Sequence, residues 1–315
     1  MFKGLTAWAC ALCIATPAFA DSHGWSPDGP ITMMIAFAAG GGADSQARAL
    51  AEDIEAATGW EIVPEQVTGN SGLNLVNQIK DAPGDGTAIG MIVTETLGYN
   101  MLVSESGLTL ADVTPLTTTA RFQMGVVAMA DRGWTDLGDV IEAAQGGEAI
   151  SFGVMADRLA DIAYLLGQAN GVEFDIVQTR GGGDVMNGIQ AGDIDIGFAA
   201  GAQARAVASG DMVNLASGLP IPLAQTPDAP LLTSYGVDFS ADGFFLFVGP
   251  PNMDPAAREA ITEAIQTALT TEGTGAATLV NRAFAGPTLL SGAELEAYLA
   301  EQLDGAQALL DAASQ

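Results

Sequence analysis

The chain is poor in the residues on which most enzyme and metal chemistry depends. Its 315 residues include two cysteines and one histidine. Both cysteines, Cys10 and Cys13, lie in an N-terminal apolar run, and the histidine, His23, follows soon after it. Composition therefore argues against Ser-His-Asp and Cys-His catalysis and against histidine-rich metal sites. No D-x-D-x-D-G calcium loop is present, so we expect no metal and no cofactor.

Basic residues are also scarce. Ten lysines and arginines stand against 38 aspartates and glutamates, which gives a formal net charge of −28. Such a surface repels nucleic acid and anionic lipid, so we expect no nucleic-acid partner. The acidic residues are scattered and hydrophobic residues make up 49% of the chain, which argues against disorder. An acidic surface of this kind suits a saline medium, where screening acts over about 8 Å or less.

Long apolar runs are missing from the rest of the chain. After the N-terminal segment, no stretch approaches the roughly 18 apolar residues of a membrane span. The N-terminal segment has the parts of a secretory signal peptide: Lys3, an apolar run over 5–14, and the small-x-small site Ala18-Phe19-Ala20. We therefore predict a cleaved leader over residues 1–20 and a mature chain that starts near Asp21. Neither cysteine stands directly after the predicted cleavage site, where a lipobox cysteine would lie, so we expect a soluble periplasmic protein without a lipid anchor.

The most informative segment is the junction PITMMIAFAAGGGADSQARALAEDIEAATG, from Pro30 to Gly59. An apolar run typical of a buried strand stops at three glycines, Gly40 to Gly42, and an apolar stripe at helical spacing follows. Glycines there expose bare N–H groups, and the helix N-terminus adds about half a positive charge. The junction indicates an anion site, and the alternative is a plain strand-to-helix turn. It is neither a Walker A loop nor G-x-G-x-x-G, which argues against nucleotide binding.

Segments patterned as strands and helices alternate almost throughout the chain, which favours an α/β fold with largely parallel sheets. The length indicates about two domains. After the first strand, the pattern predicts strands over 61–67, 87–93, 123–130, 149–154, 173–179, 194–199, 212–216 and 243–248, followed by three helices.

Two more strand-to-helix junctions resemble the first one, over Gly153 to Asp157 and over Arg180 to Asp184. Ligands of open α/β sheets bind outside the carboxyl ends of the strands, so several such loops can converge on one site. Asn70 and Ser71 begin another predicted helix and can donate side-chain hydrogen bonds. Helix N-capping is the alternative role for Asn70, Ser71 and Asp157.

A series of ordered motifs resembles one family, the extracytoplasmic solute receptors of tripartite tricarboxylate transporters, also called the Bug family. The motifs are F-x-x-G-G-G-x-D-x-x-A-R over Phe37 to Arg48, G-N-S-G over Gly69 to Gly72, A-P-G-D-G-T-x-I-G over Ala82 to Gly90, Thr179 to Gly182, Ala191 to Asp195, and Pro227 to Gly236. The resemblance covers essentially the whole chain after the predicted leader.

The resemblance implies a two-lobed periplasmic binding protein of type II-like fold, with two mixed sheets flanked by helices and a two-strand crossover. Lobe 1 is expected over residues 21–122 plus 244–315, and lobe 2 over 123–243. By position, the residues expected to hold a ligand carboxylate, chiefly through backbone groups and ordered water, are Ala39, Gly40, Gly41, Ala43, Asp44, Asn70, Ser71, Thr94 and Thr96 in lobe 1, and Val154, Met155, Ala156 and Thr179 in lobe 2.

The lobe 2 loop departs from the family pattern. G-S-x-G-x-G-S is usual, whereas this chain has a shorter loop that ends in Asp157-Arg158, and Asp161 or a neighbour replaces the usual histidine. Arg158 is therefore a candidate to pair with a second ligand carboxylate, which would favour diacids. The alternative is a surface arginine paired with Asp157 or Asp161. If Glu95 faces the cleft, it favours a ligand amine and thus an amino acid.

The sequence therefore predicts a receptor that captures a small organic carboxylate for the membrane subunits of a tripartite tricarboxylate-type transporter. Candidate ligands are di- and tricarboxylates, aromatic acids and amino acids, and we expect the receptor to be a monomer. The alternative function is a ligand sensor for a two-component signalling system. An enzyme is disfavoured because no set of nucleophile, base and orienting residue can be named.

Overall fold

The structure is a computed structural model that describes residues 24–104 and 106–314. The predicted leader over residues 1–20, with Cys10 and Cys13, lies outside the described residues, and so does His23. The strands β1 to β10 are Ile31–Ile35, Ile62–Gln66, Ala88–Val93, Thr114–Arg121, Met124–Met129, Ser151–Val154, Asp175–Gln178, Ile196–Ala200, Met212–Ser217 and Phe244–Gly249. The helices α1 to α11 are Gly42–Thr58, Leu73–Ile79, Thr94–Leu97, Tyr99–Val103, Leu137–Gln145, Asp157–Asn170, Gly182–Ala191, Ala204–Ser209, Pro255–Thr270, Gly275–Phe284 and Gly292–Ala313.

The strands form two five-stranded mixed sheets, in the orders β2-β1-β3-β10-β4 and β7-β6-β8-β5-β9. In the first sheet β1 is parallel to β2 and β3, and in the second sheet β6 is parallel to β7 and β8. The fourth strand of each sheet, β10 or β5, is antiparallel to both of its neighbours. The α/β class and the two mixed sheets are therefore confirmed.

We call lobe 1 the first sheet with helices α1 to α4 and α9 to α11, and lobe 2 the second sheet with helices α5 to α8. The chain passes from lobe 1 to lobe 2 between Arg121 and Met124, and it returns to lobe 1 between Ser217 and Phe244. Each sheet thus receives its fourth strand directly after a crossing.

Strand β4 is the strand that the sequence pattern does not predict. Its sequence, TPLTTTAR, has no apolar run, but Thr117, Thr118 and Thr119 are fully buried. Their hydroxyl groups are satisfied inside the core, since Thr119 Oγ1 donates to Gln46 Oε1 at 2.6 Å and Thr118 Oγ1 donates to the Thr288 carbonyl at 2.6 Å. β-Branched residues suit a strand, and the proline near its start is tolerated because β4 lies at the sheet edge.

An aromatic cluster fills the core beside the two crossings. The Phe122 and Phe245 rings meet edge to face at 5.0 Å between centroids, and the Phe245 and Phe284 rings do so at 5.1 Å. A Cβ atom at Gly201 of lobe 2 would lie 2.7 Å from the Phe284 ring. Phe284 of lobe 1 therefore packs directly on the backbone of lobe 2.

Among the described residues, we find no helix both long enough and apolar enough to span a bilayer.

Candidate ligand-binding site

The β1–α1 loop is organised by a buried carboxylate. Asp44 accepts the Gly40 N–H at 2.9 Å, the Gln66 Nε2–H at 2.6 Å and the Arg48 Nε–H at 2.8 Å. Its side chain thus points back into the loop and Asp44 is buried. Gly40 has φ 81°, a left-handed value that favours glycine, whereas Gly41 has φ −76° and needs no such freedom. The Asp44 carboxylate and the Gly40 N–H therefore shape the loop.

The ionisation of Asp44 reflects these contacts. Burial by itself would raise the pKa of this carboxyl, but the hydrogen bonds from Gly40, Gln66 and Arg48 outweigh it and hold the pKa below its usual value. Asp44 is therefore a carboxylate at neutral pH, and its negative charge is satisfied within lobe 1.

The β6–α6 loop occupies the equivalent place in lobe 2. Val154 ends β6, Met155 and Ala156 form the loop, and α6 starts at Asp157. The Val154 carbonyl accepts both the N–H and the hydroxyl of Thr179, at 2.8 and 3.0 Å, which ties this loop to the end of β7. The Asp157 carboxylate accepts the Gln178 Nε2–H at 3.2 Å. N-capping by Asp157 is wrong, because Ala156 is the N-cap residue of α6.

Helix α1 follows the parallel strand β1, and helix α6 follows the parallel strand β6. Both helices start without a side-chain cap. The N-cap residue of α1 is Gly41 and that of α6 is Ala156, and neither makes a side-chain cap hydrogen bond. By contrast, α5 and α9 follow the antiparallel strands β5 and β10, and both are capped by an aspartate, Asp136 or Asp254. The first N–H groups of a helix have no carbonyl partner within it. At α1 and α6 no side chain caps these groups, although the Leu159 N–H of α6 donates to the Ala156 carbonyl at 3.1 Å.

The turn before α2 has strained backbone geometry. Gly69, Asn70, Ser71 and Gly72 all have positive φ, at 108°, 49°, 50° and 92°. N-capping by Asn70 or Ser71 is wrong, because neither makes a side-chain cap hydrogen bond to the helix that follows. The Ser71 carbonyl instead accepts the Thr96 hydroxyl at 3.0 Å and the Asn100 Nδ2–H at 3.2 Å. These bonds bring the predicted site residues Ser71 and Thr96 together.

The predicted site residue Arg158 is held by Glu95 of lobe 1 and by two carbonyls of the segment that leads back to lobe 1. Its Nη1 atom lies 2.7 Å from the Glu95 carboxylate of α3 and 2.8 Å from the Asp242 carbonyl, and its Nη2 atom lies 2.6 Å from the Ser240 carbonyl. The side chain is 13% exposed. The alternative of a surface arginine paired with Asp157 or Asp161 is therefore wrong.

Glu95 is the partner of Arg158, a pairing that the sequence did not predict. The Glu95 side chain is 7% exposed and its carboxylate is neutralised by Arg158. Thr94, Glu95 and Arg158 line one cavity of about 180 Å³ between α3, α6 and α11. The Thr94 hydroxyl accepts the Phe244 N–H at 3.1 Å, so it is engaged at the second crossing.

Two further polar contacts join the same region. Arg121, the last residue of β4, pairs with Asp242 at 3.0 Å. Burial raises the pKa of Asp242, and the charges of Arg121 and Arg158 offset only part of that rise. The Tyr99 hydroxyl of α4 donates to Asp161 of α6, and burial together with this bond raises the pKa of Tyr99.

Within the described residues, no group of three histidine, cysteine, aspartate or glutamate side chains is placed to hold a metal ion. The architecture is instead that of a solute-binding protein, with two α/β lobes, two crossings and strand-to-helix loops from both lobes.

A family model described as the tripartite tricarboxylate transporter family receptor matches residues 46–313. The chain belongs to this family of solute-binding receptors, which are not enzymes. The resemblance stated from the motifs is therefore confirmed.

Individual relatives agree with this assignment. Protein BugT of Bordetella pertussis is 22% identical over 253 residues, which cover 77% of this chain and 76% of BugT. The fold is similar to that of Rpa4515 of Rhodopseudomonas palustris, solved with adipate, with a TM-score of 0.81, 19% identity, and coverage of 91% of this chain and 98% of that one. It is also similar to MatC of the same organism, solved with bound malate, with a TM-score of 0.77, 16% identity, and coverage of 90% and 99%.

Proposed function

We propose that the protein captures a small organic carboxylate between its lobes and delivers it to the membrane subunits of a tripartite tricarboxylate-type transporter. The carboxylate binds chiefly to backbone groups of two loops, the β1–α1 loop, Ala39 to Ala43, and the β6–α6 loop, Val154 to Ala156. In the first loop the Gly40 and Gly41 N–H groups already donate to Asp44 and Ala38, so the donors there are the N–H groups at the start of α1. Ordered water, Asn70, Ser71 and Thr179 complete the site. Family membership and the ligands of the two structural relatives, adipate and malate, support this proposal.

One observation supports it most directly: α1 and α6 are uncapped, whereas α5 and α9 carry aspartate caps. An aspartate cap satisfies the first N–H groups of a helix and places a negative charge beside them. An uncapped N-terminus keeps those donors and about half a positive charge for an external anion. A helix of each lobe offers such an N-terminus at the carboxyl end of a parallel strand, where α/β sheets bind ligands.

The charged side chains nearby support recognition by backbone groups. Arg48 is engaged by Asp44, and Arg158 is engaged by Glu95 and two carbonyls. Neither guanidinium is free to act as the main carboxylate partner in the present arrangement. We propose that Arg158 affects the ligand through the position of its loop, and that backbone donors hold the ligand carboxylate.

The remaining features of the proposal follow from the two sheets and from the predicted leader. We propose lobe boundaries at 21–122 plus 244–315 for lobe 1 and at 123–243 for lobe 2. We also propose that the leader is removed on export, and that the receptor acts in the periplasm as a monomer.

A thermal-shift screen tests the ligand class. The panel contains C4 to C10 di- and tricarboxylates, aromatic acids and amino acids, with neutral sugars as the negative set. A carboxylate at a hundredfold excess over its Kd stabilises the folded state by about 2.7 kcal/mol, which gives a clear rise in Tm. A rise with a sugar and with no carboxylate contradicts the proposal.

A matched pair of variants tests the site. Ala156→Asp places a carboxylate at the N-cap of α6, where the backbone is already extended, with φ −158° and ψ 154°. The aspartate caps α6 and repels an incoming carboxylate, so the shift seen with the best acid of the screen disappears while the protein stays folded. Ala156→Asn has nearly the same size and caps without charge, so it retains more of the shift. Equal shifts in both variants and the unaltered protein would exclude this loop from the site.

A further inference from the structure

The bonds of Arg158 connect parts of the molecule that are distant in the chain. Arg158 belongs to α6 of lobe 2, whereas Glu95 belongs to α3 of lobe 1, and Ser240 and Asp242 belong to the segment that returns from lobe 2 to lobe 1. The guanidinium thus fixes lobe 2 to lobe 1 and to the second crossing at once. Its planar fork of donors can satisfy three acceptors, which a single ammonium group does less well.

The first crossing takes part in the same network. Arg121, the last residue before the chain leaves lobe 1, pairs with the Asp242 carboxylate at 3.0 Å, while the Asp242 carbonyl accepts from Arg158. Both crossings are therefore linked through Asp242. Rotation of one lobe against the other about the crossings changes the distance between Arg158 and Glu95.

The Arg158–Glu95 pair is also protected from solvent. The two side chains are 13% and 7% exposed, whereas those of the Arg180–Asp184 pair at the start of α7 are 91% and 38% exposed. A buried charge that loses its partner is strongly destabilised, while an exposed pair contributes little. Separation of Arg158 from Glu95 is therefore opposed much more strongly than separation of a surface pair.

We propose that Arg158 is a positioning residue that sets the relative orientation of the two lobes through Glu95, whether or not a ligand is bound. In the unliganded protein the pair keeps the β1–α1 and β6–α6 loops facing each other at a fixed separation. The consequence for ligand affinity rests on the proposed function, but the effect on lobe orientation does not.

The test measures the distance between the lobes without any ligand. Labels are attached at Thr68→Cys, after β2, and at Gly183→Cys, near the start of α7, in the chain that starts at Asp21, which contains no other cysteine. Thr68 is exposed, and a Cβ atom at Gly183 meets nothing within 4 Å. Double electron–electron resonance then gives the distribution of the distance between the two labels.

Three forms of the labelled protein are compared: the protein without further substitutions and two double variants. The double variant Glu95→Gln with Arg158→Met removes both charges, so neither is left buried alone. The control double variant Asp184→Asn with Arg180→Met removes the exposed Arg180–Asp184 pair. We expect a longer and broader distance distribution in the first variant and an unchanged one in the control. Identical distributions in all three folded proteins would overturn the proposal.

A conservative variant keeps the test decisive if the first double variant does not fold. Arg158→Lys retains the charge opposite Glu95 but has one ammonium group for three acceptors. We expect its distance distribution to be broader than that of the unaltered protein. A distribution that matches the unaltered protein would show that Arg158 does not set lobe orientation.

Discussion

At the scale of single residues, Asp44 shows how an acidic side chain can lie inside a site proposed for anions. Its carboxylate points back into the β1–α1 loop and is satisfied by Gly40, Arg48 and Gln66. The loop thus gains a fixed shape from a charged group whose hydrogen bonds are made within lobe 1.

Asp44→Asn should lower the free energy of unfolding by about 1.5 to 3 kcal/mol at pH 7, since hydrogen bonds to a charged group are lost. The pKa of Asp44 is lowered in the folded protein, so its stabilisation is complete above the ordinary value of about 3.9 and is lost as the pH falls through the folded-state pKa. The difference between variant and unaltered protein should therefore shrink below about pH 4. Urea unfolding at several pH values measures it.

Asp184→Asn is the matched control for this experiment. Asp184 also lies in the first turn of a helix and pairs with an arginine four positions away, but this arginine is 91% exposed. Loss of the Asp184 charge should change the free energy of unfolding by about 0.5 kcal/mol or less. Equal effects of the two substitutions would mean that the buried hydrogen bonds of Asp44 add nothing to stability.

Arg158 marks the limit of what the sequence predicts at this scale. Its place at the start of α6 follows from the strand-to-helix pattern, and so does its nearness to the proposed site. Its partners Glu95 and Asp242 are 63 and 84 positions away, and the bonds form only when the two crossings come together. No local pattern encodes such a contact. The sequence therefore could not decide whether Arg158 contacts the ligand or forms a surface ion pair.

At the scale of elements, strand-to-helix junctions were the best predicted features because their signal is local. The glycines before α1 and the start of α6 were found from spacing alone. Strand β4 was missed for the opposite reason: its buried face is made of threonines whose hydroxyls are satisfied by Gln46 and Thr288, far away in the chain. A buried polar strand has no apolar run to reveal it.

Gly40 and Gly183 provide a prediction at this scale. A Cβ atom at either position meets nothing within 4 Å, but Gly40 has φ 81° whereas Gly183 lies in α7. Gly40→Ala should therefore destabilise the protein by about 1 to 2 kcal/mol through backbone strain alone. Gly183→Ala should stabilise it by up to about 1 kcal/mol, because alanine favours a helix.

Urea unfolding of the two variants at neutral pH checks this prediction. Since neither methyl group makes a new contact, opposite signs of the two changes isolate the effect of φ. A stabilising Gly40→Ala substitution would show that the loop does not require the left-handed conformation.

At the scale of the whole molecule, the charge is the dominant feature. A net charge of −28 on the full chain repels itself in the compact state. The screening length falls from about 10 Å at 0.1 M salt to about 3 Å at 1 M, so this repulsion weakens as salt is added.

The Tm should therefore rise between 0.05 and 1 M potassium chloride, by about 2 to 4 °C for each kcal/mol of repulsion removed. Differential scanning calorimetry measures the rise. The same series in glycine betaine, an osmolyte with no net charge, separates screening from exclusion effects. A Tm that is constant or falls with salt would show that the acidic surface does not limit stability.

The strand order of the two sheets has a consequence for how the molecule assembles. The second sheet is built from one continuous stretch, Met124 to Ser217, whereas the first sheet takes its fourth strand from Phe244–Gly249. Strand β10 pairs with β3 across about half of the chain, so lobe 1 cannot complete its sheet until nearly everything before it has been made. Pairing over such separations is slow, because a long loop must close first. As the chain emerges from N- to C-terminus, lobe 1 is the first lobe to appear and the last to finish folding.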